Sequence, residues 1–136
     1  MSTSLTSTSP QMLRWRFFLE IAALAGYFFA GWNMWGGAMS LVGAIVLPAF
    51  AGVVWSAFAV ADDPTRQTRA PFPVSGRTRL AIELIILGGA FFAFLNAGLN
   101  FLGLLYAIAL GAYFYFARDR FTWLQSVDKN GRPIED

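Results

Sequence analysis

The chain has 136 residues, of which 57% are hydrophobic and only 13% charged, with a formal net charge of +2. Soluble domains usually carry about 45–50% apolar and about 25% charged residues, and a small soluble fold could not bury this much apolar surface, so the expected solvent is lipid. With no cysteine and no histidine, disulfides, zinc sites, the usual axial haem ligand and histidine-based hydrolase mechanisms are excluded, and no cofactor or metal is expected.

The first residues, rich in Ser and Thr and ending near Pro10, read as a disordered tail over 1–12. Two uncharged stretches follow, Ile21 to Ala61 and Leu84 to Ala117. Each is too long for one membrane crossing, which takes about 20 helical residues. Each is interrupted by a turn-like patch, Trp32-Asn33-Met34-Trp35-Gly36-Gly37 and Asn96-Ala97-Gly98-Leu99-Asn100. Four helices are predicted, at about Leu13–Trp32, Ala38–Val60, Arg79–Leu95 and Leu99–Phe116. The fold class is therefore all-α, a polytopic membrane protein of two tandem helical hairpins, with the four-helix bundle spanning 13–117. Residues 118–136 read as an extension of the fourth helix into the interface and a C-terminal tail, with Asn130-Gly131 and Pro133 ending any structure there.

All ten basic residues lie outside the two hairpin tips: Arg14, Arg16, Arg66, Arg69, Arg77, Arg79, Arg118, Arg120, Lys129 and Arg132. The positive-inside rule then places both termini and the 62–78 loop in the cytoplasm. Trp15 and Trp123 fall near the inner interface, and Trp32 and Trp35 near the outer one. The long central loop, with Arg66, Arg69 and Pro71-Phe72-Pro73, reads as a linker on the inner face. The basic residues serve topology, and no nucleic-acid partner is expected.

Sliding the chain by 63 residues sets Arg14, Arg16, Glu20 and Gly26 against Arg77, Arg79, Glu83 and Gly89, and Asn33 against Asn96. This suggests a duplicated hairpin, with parallel repeats at about 13–61 and 76–124. Small residues recur every four positions: Ala22, Gly26 and Ala30 in the first helix; Gly36, Ser40, Ala44, Pro48, Gly52 and Ser56 in the second; Gly103, Ala107 and Gly111 in the fourth. Such stripes allow close backbone approach, within the bundle or against a partner. Pro48 is expected to kink the second helix.

Glu20 and Glu83 are the acids within the predicted spans. Each has an arginine four residues earlier, Arg16 or Arg79, on the same helical face. Two roles are open to each pair: proton or cation recognition by an intramembrane carboxylate, or an ion pair that anchors the helix start at the interface. Helical geometry puts Glu20 on a face with Leu24, Tyr27 and Gly31, away from the small-residue stripe. It would point to another neighbour, a cavity or lipid headgroups. Asn33 and Asn96 are expected to cap the hairpin turns.

The chain resembles the YrdB-like family of small four-helix bacterial membrane proteins, whose function is unknown. The resemblance rests on Leu13 and Arg16 leading to Leu19-Glu20 and Ala22-Ala23-Leu24, on Gly31-Trp32, Leu47-Pro48 and Trp55-x-x-Phe58, and on Pro71-x-Pro73 leading to Arg79 and Glu83-Leu84. It implies a four-span bundle in the bacterial inner membrane and carries over no activity. The leading functional expectation is a non-enzymatic accessory subunit of a larger membrane assembly, supported by the small-residue faces, an aromatic surface and a lack of deep polar groups. Other membrane subunits, a second copy, lipid, or an unligated quinone or pigment would be its partners. The alternative is a small proton-coupled transporter resembling the small multidrug resistance exporters, using Glu20, Glu83 or both. A shallow Glu20 and the one-sided arginines weigh against it.

Overall fold

A computed structural model describes residues 9–61, 63 and 70–134. The sequence expectations for Arg66 and Arg69, and for the first eight residues, fall outside that set. The described chain is mostly helical: α1 (Pro10–Met34), α2 (Met39–Ala57), α3 (Gly76–Asn96), α4 (Asn100–Phe116) and α5 (Arg118–Ser126). Three helices, α1 to α3, are long and apolar enough to cross a membrane. The count becomes four if α4 and α5, bent by 64° at Ala117, are taken as one broken span.

Helix α1 begins three residues earlier than expected. Ser9 accepts a hydrogen bond from the Met12 amide, and Pro10 occupies the first turn. Proline there sacrifices an amide that would have no partner anyway. Pro10 therefore starts a helix rather than ending a tail, and Met12 is fully buried. Ser75 caps α3 in the same way, accepting from Thr78 N. The left-handed residues of the two hairpin turns are Gly37 and Gly98, while Asn33 lies within α1 and donates to the Phe29 carbonyl. After α3 the amides of Gly98 and Leu99 return to the Leu95 and Phe94 carbonyls, the paired closure in which glycine favours the left-handed position.

The bundle is uneven. The main core joins Met12, Leu19 and Ala23 of α1 to Leu87, Ala90 and Phe94 of α3 and to Tyr106, Leu110 and Tyr113 of α4. Helix α2 packs mainly along α1 and buries only Ser40, Gly43, Ala44 and Ala51. Their contact is backbone on backbone: a Cβ at Gly31 would stand 2.0 Å from the Gly43 carbonyl oxygen, and one at Gly43 would stand 2.2 Å from that of Gly31. The Gly26 face of α1 turns instead toward Ala90 and Phe94 of α3. Of the proposed packing positions, Ser40, Ala44 and Gly103 are buried, Gly52 and Ala107 are half-buried, and Gly36, Ser56 and Gly111 are exposed. Helix α2 continues through Pro48 without interruption.

Where the fourth helix was expected to run on into the interface, the chain turns through 64° at Ala117 and α5 folds back against α3. Gly76 makes this possible, because a Cβ there would lie 1.9 Å from the Leu124 carbonyl oxygen. Val60, Leu124 and Val127 form a second small core beneath it. The tail is ordered too: Val127 bridges Pro133 across a turn with Gly131 in the left-handed conformation, and the Asp128 side chain accepts the Asn130 and Arg132 amides. The segment after α2 adds a short parallel pair, Phe58–Ala59 with Phe72–Pro73, a departure from an all-helical fold.

Candidate functional site

Side chains from α1, α3 and α5 converge on one carboxylate. Glu83, fully buried on α3, accepts Arg16 Nη2 and Arg79 Nε at 2.9 Å each on Oε1, and Arg120 Nη1 at 2.6 Å on Oε2. Arg120 reaches on to Asp63 at 2.5 Å. Arg16 also donates to the Tyr113 hydroxyl at 3.1 Å, and its Nε faces Glu20 at 3.4 Å. Among the described residues three guanidiniums thus meet three carboxylates, a formal balance of charge.

Burial of this kind is tolerated only when charges are paired and hydrogen-bonded, and the local structure supplies the partners. On α3, Arg79 and Glu83 stand one turn apart on one face. Arg79 also donates to the carbonyls of Trp55 at 2.5 Å and Phe58 at 2.7 Å. A guanidinium at the Trp55 carbonyl in the last turn of α2, and at that of Phe58 just beyond it, satisfies groups that helix geometry leaves open, at the negative end of the helix dipole. The helix ends at Ala57, three residues before the predicted Val60. The Trp55 ring adjoins two cations, its centroid 4.3 Å from the Arg79 and 4.9 Å from the Arg16 guanidinium carbon. Its indole N–H donates to Glu20 at 3.2 Å.

The two Arg–Glu pairs predicted from the sequence are therefore present, but as one network rather than two separate anchors. Polar groups are nonetheless enclosed within the protein itself: Arg16, Arg79, Glu83, Arg120 and Asp63 are all buried. Neither hairpin could hold this charge alone, since Glu83 takes its arginines from α1, α3 and α5. The network also includes Trp55, Asp63, Tyr113 and Arg120, none of them predicted as site residues. A signal for two of these is visible in the sequence. Gly103, Tyr106, Leu110, Tyr113, Ala117, Arg120, Leu124 and Val127 follow one another at alternating spacings of three and four, and every one is buried. The inward face thus runs unbroken through the bend.

Glu20 and Glu83 differ sharply in setting. Glu83 is sealed, whereas the Glu20 side chain keeps 28% of its exposure. Glu20 lines a cleft of about 230 Å³ between α1, α2 and α3, together with Leu24, Tyr27, Ala51, Gly52 and Leu87. Deeper in the bundle, the Tyr27 hydroxyl donates to the Ile86 carbonyl and the Tyr106 hydroxyl donates to that of Leu87 at 2.5 Å. These bonds tie α1 and α4 to neighbouring residues of α3. Gly89 leaves room for the first, since a Cβ there would sit 2.7 Å from the Tyr27 hydroxyl. No group of three or more acidic side chains suited to a metal occurs among the described residues.

Residues 14–110 match the family model described as "Protein of unknown function (DUF2568)". The chain belongs to this family. It is also 35% identical over 109 residues, 80% of its own length and 89% of the relative's, to a Bacillus subtilis (strain 168) protein described as "Uncharacterized protein YrdB". No solved structure matches. The family match takes in Arg16, Glu20, Trp55, Asp63, Arg79 and Glu83, while Tyr113 and Arg120 lie beyond its end.

Proposed function

We propose that the chain is a non-enzymatic, multi-pass protein of a bacterial cytoplasmic membrane, with both termini on the cytoplasmic side, that serves as an accessory subunit of a larger membrane assembly. The observation that carries this reading is the one-sided packing of α2. It buries four small residues and leaves Ser56 exposed, as is Gly36 in the turn before it, small positions at which another helix could approach closely. The orientation is supported by the arginines: those described lie toward the helix ends that gather around Glu83, and none lies in the Gly37 or Gly98 turns. The buried cluster suits a structural role, because Glu83 is held by three guanidiniums and is shielded from any substrate.

Extraction from native membranes in a mild detergent through a C-terminal tag, followed by native mass measurement, tests this. The expected result is a stoichiometric complex with other membrane proteins, weakened by Ser56→Phe. A lone chain would overturn the reading. One observation favours a second reading, a small proton-coupled transporter: Glu20 opens on a cleft within the bundle. In that reading Glu20 carries the coupling and Glu83 does not. Loss of proton-coupled flux in Glu20→Gln vesicles would support it.

A further inference from the structure

We propose that the cleft between α1, α2 and α3 is a binding site for an organic ammonium ion joined to an apolar body, with Glu20 as its counter-ion. Binding here requires neither subunit assembly nor transport, so it stands apart from both readings above. Four features of the cleft carry it.

The first is the state of Glu20. Arg16 gives one terminal nitrogen to Glu83 and the other to Tyr113, and only its Nε faces Glu20, at 3.4 Å. The remaining donor, the Trp55 indole, falls on the same oxygen, Oε1, at 3.2 Å. Among the described residues nothing donates to Oε2. Glu83 draws on three guanidiniums while Glu20 has one long contact, so Glu20 is the under-compensated acid of the cluster. A partly desolvated carboxylate in that state gains most from an added cation that brings its own N–H donors.

The second feature is selectivity by charge. Apart from Glu20, the residues that line the cleft are uncharged. The Tyr27 hydroxyl is already committed to the Ile86 carbonyl. An anion would meet a carboxylate with no cation of the cleft's own to offset it.

The third is the apolar wall. Leu24, Ala51, Gly52 and Leu87 face the space beyond Glu20, and the exposed Phe17 and Ile21 form its rim. The fourth is size. About 230 Å³ lies below the roughly 300–1,000 Å³ of sites for drug-sized ligands. An alkyl chain or one small ring fits better than a polycyclic molecule. A free hydrophobic amine and the amine headgroup of a phospholipid share this chemistry.

The test uses the full chain in non-ionic maltoside micelles, titrated calorimetrically with decylammonium and, separately, decyl sulfate. Saturable decylammonium binding is expected, weakened about tenfold or more by Glu20→Gln, the scale of one lost charge-assisted hydrogen bond. Decyl sulfate should not compete. Displacement of decylammonium by added phosphatidylethanolamine would assign the site to a lipid headgroup, and failure to displace it would assign the site to a free amine. Equal affinity in Glu20→Gln, or equal competition by decyl sulfate, would overturn the proposal by showing that the alkyl chain alone is held. Should Glu20→Gln not fold, Gly52→Leu decides. It keeps the carboxylate but projects into the cleft, where the nearest atom to a new Cβ is Leu24 Cδ2 at 3.9 Å. Undiminished binding there would also refute the site.

Discussion

Replacing Glu83 by Gln is the sharpest test of the buried cluster. The substitution preserves shape but, among the described residues, leaves three guanidiniums with Asp63 and Glu20 to balance them. It also turns an amide NH₂ toward at least one arginine. Arg16 loses its 2.9 Å partner and keeps a 3.4 Å contact with Glu20. Arg79 keeps its two carbonyls, and Arg120 keeps Asp63. Removing one partner of a buried ion pair typically costs about 3–5 kcal/mol, a large part of the roughly 5–15 kcal/mol that holds a typical protein folded. Reversible unfolding in mixed maltoside–dodecyl sulfate micelles, followed by far-UV circular dichroism, measures this directly. Arg16→Met restores the charge balance in the Gln background, so the double variant should be more stable than the sum of the single losses allows, by about 1–3 kcal/mol. A Gln variant within about 1 kcal/mol of the parent, or strict additivity with Arg16→Met, would show that the cluster does not hold the helices together.

Other substitutions test separate joints by the same unfolding measurement. Gly43→Ala should cost at least about 1–3 kcal/mol, because its new methyl falls 2.2 Å from the Gly31 carbonyl oxygen; Gly36→Ala, with nothing within 4 Å, should be close to neutral. Tyr106→Phe should cost about 0.5–1.5 kcal/mol through the lost bond to Leu87, and no measurable loss would mean that this hydroxyl bond adds nothing net. Gly76→Ala should lift α5 from α3, since the methyl would meet the Leu124 carbonyl at 1.9 Å. Trypsin should then cut faster after Arg118 and Arg120, with the fragments read by mass, and unchanged cleavage would refute that packing.

The helices were legible because runs of uncharged residues and glycine turns are local signals. The predicted α4 differs from the observed one by a single residue at its start, and the α2–α1 and α3–α4 breaks fall where glycine occurs. What stayed hidden depends on partners far apart in the chain. Arg16 and Glu83 are separated by 67 positions, and no local pattern says that an arginine already paired with Glu20 will reach across to α3. Arg120 reads as an interfacial charge until the 64° bend brings it back over Glu83. Its place in the three-four rhythm of α4 and α5 is the available clue, and the usual cost of an arginine on a buried face points against it. Pro10, which the sequence reading puts at the end of a tail, stands in the first turn of α1, since Ser-Pro is also a helix start.

The different settings of the two acids follow from what comes after each hairpin. Glu20 and Glu83 stand 63 residues apart in matching Arg-x-x-x-Glu frames, and a strict copy would give both the same surroundings. After α4 the chain turns into α5, and Arg120 closes over Glu83. The residue 63 positions before Arg120 is Ala57, the last of α2, and there the chain leaves as the short strand Phe58–Ala59 instead. Arg79 then takes the carbonyls at this end, and α2 settles along α1 without closing on α3. The same departure that leaves Glu20 without a counterpart of Arg120 therefore opens the cleft beside it. A positive charge introduced at Ala57 tests the connection: Ala57→Arg should compete with decylammonium for Glu20 and weaken its binding, while Ala57→Gln, similar in length but uncharged, should do so much less.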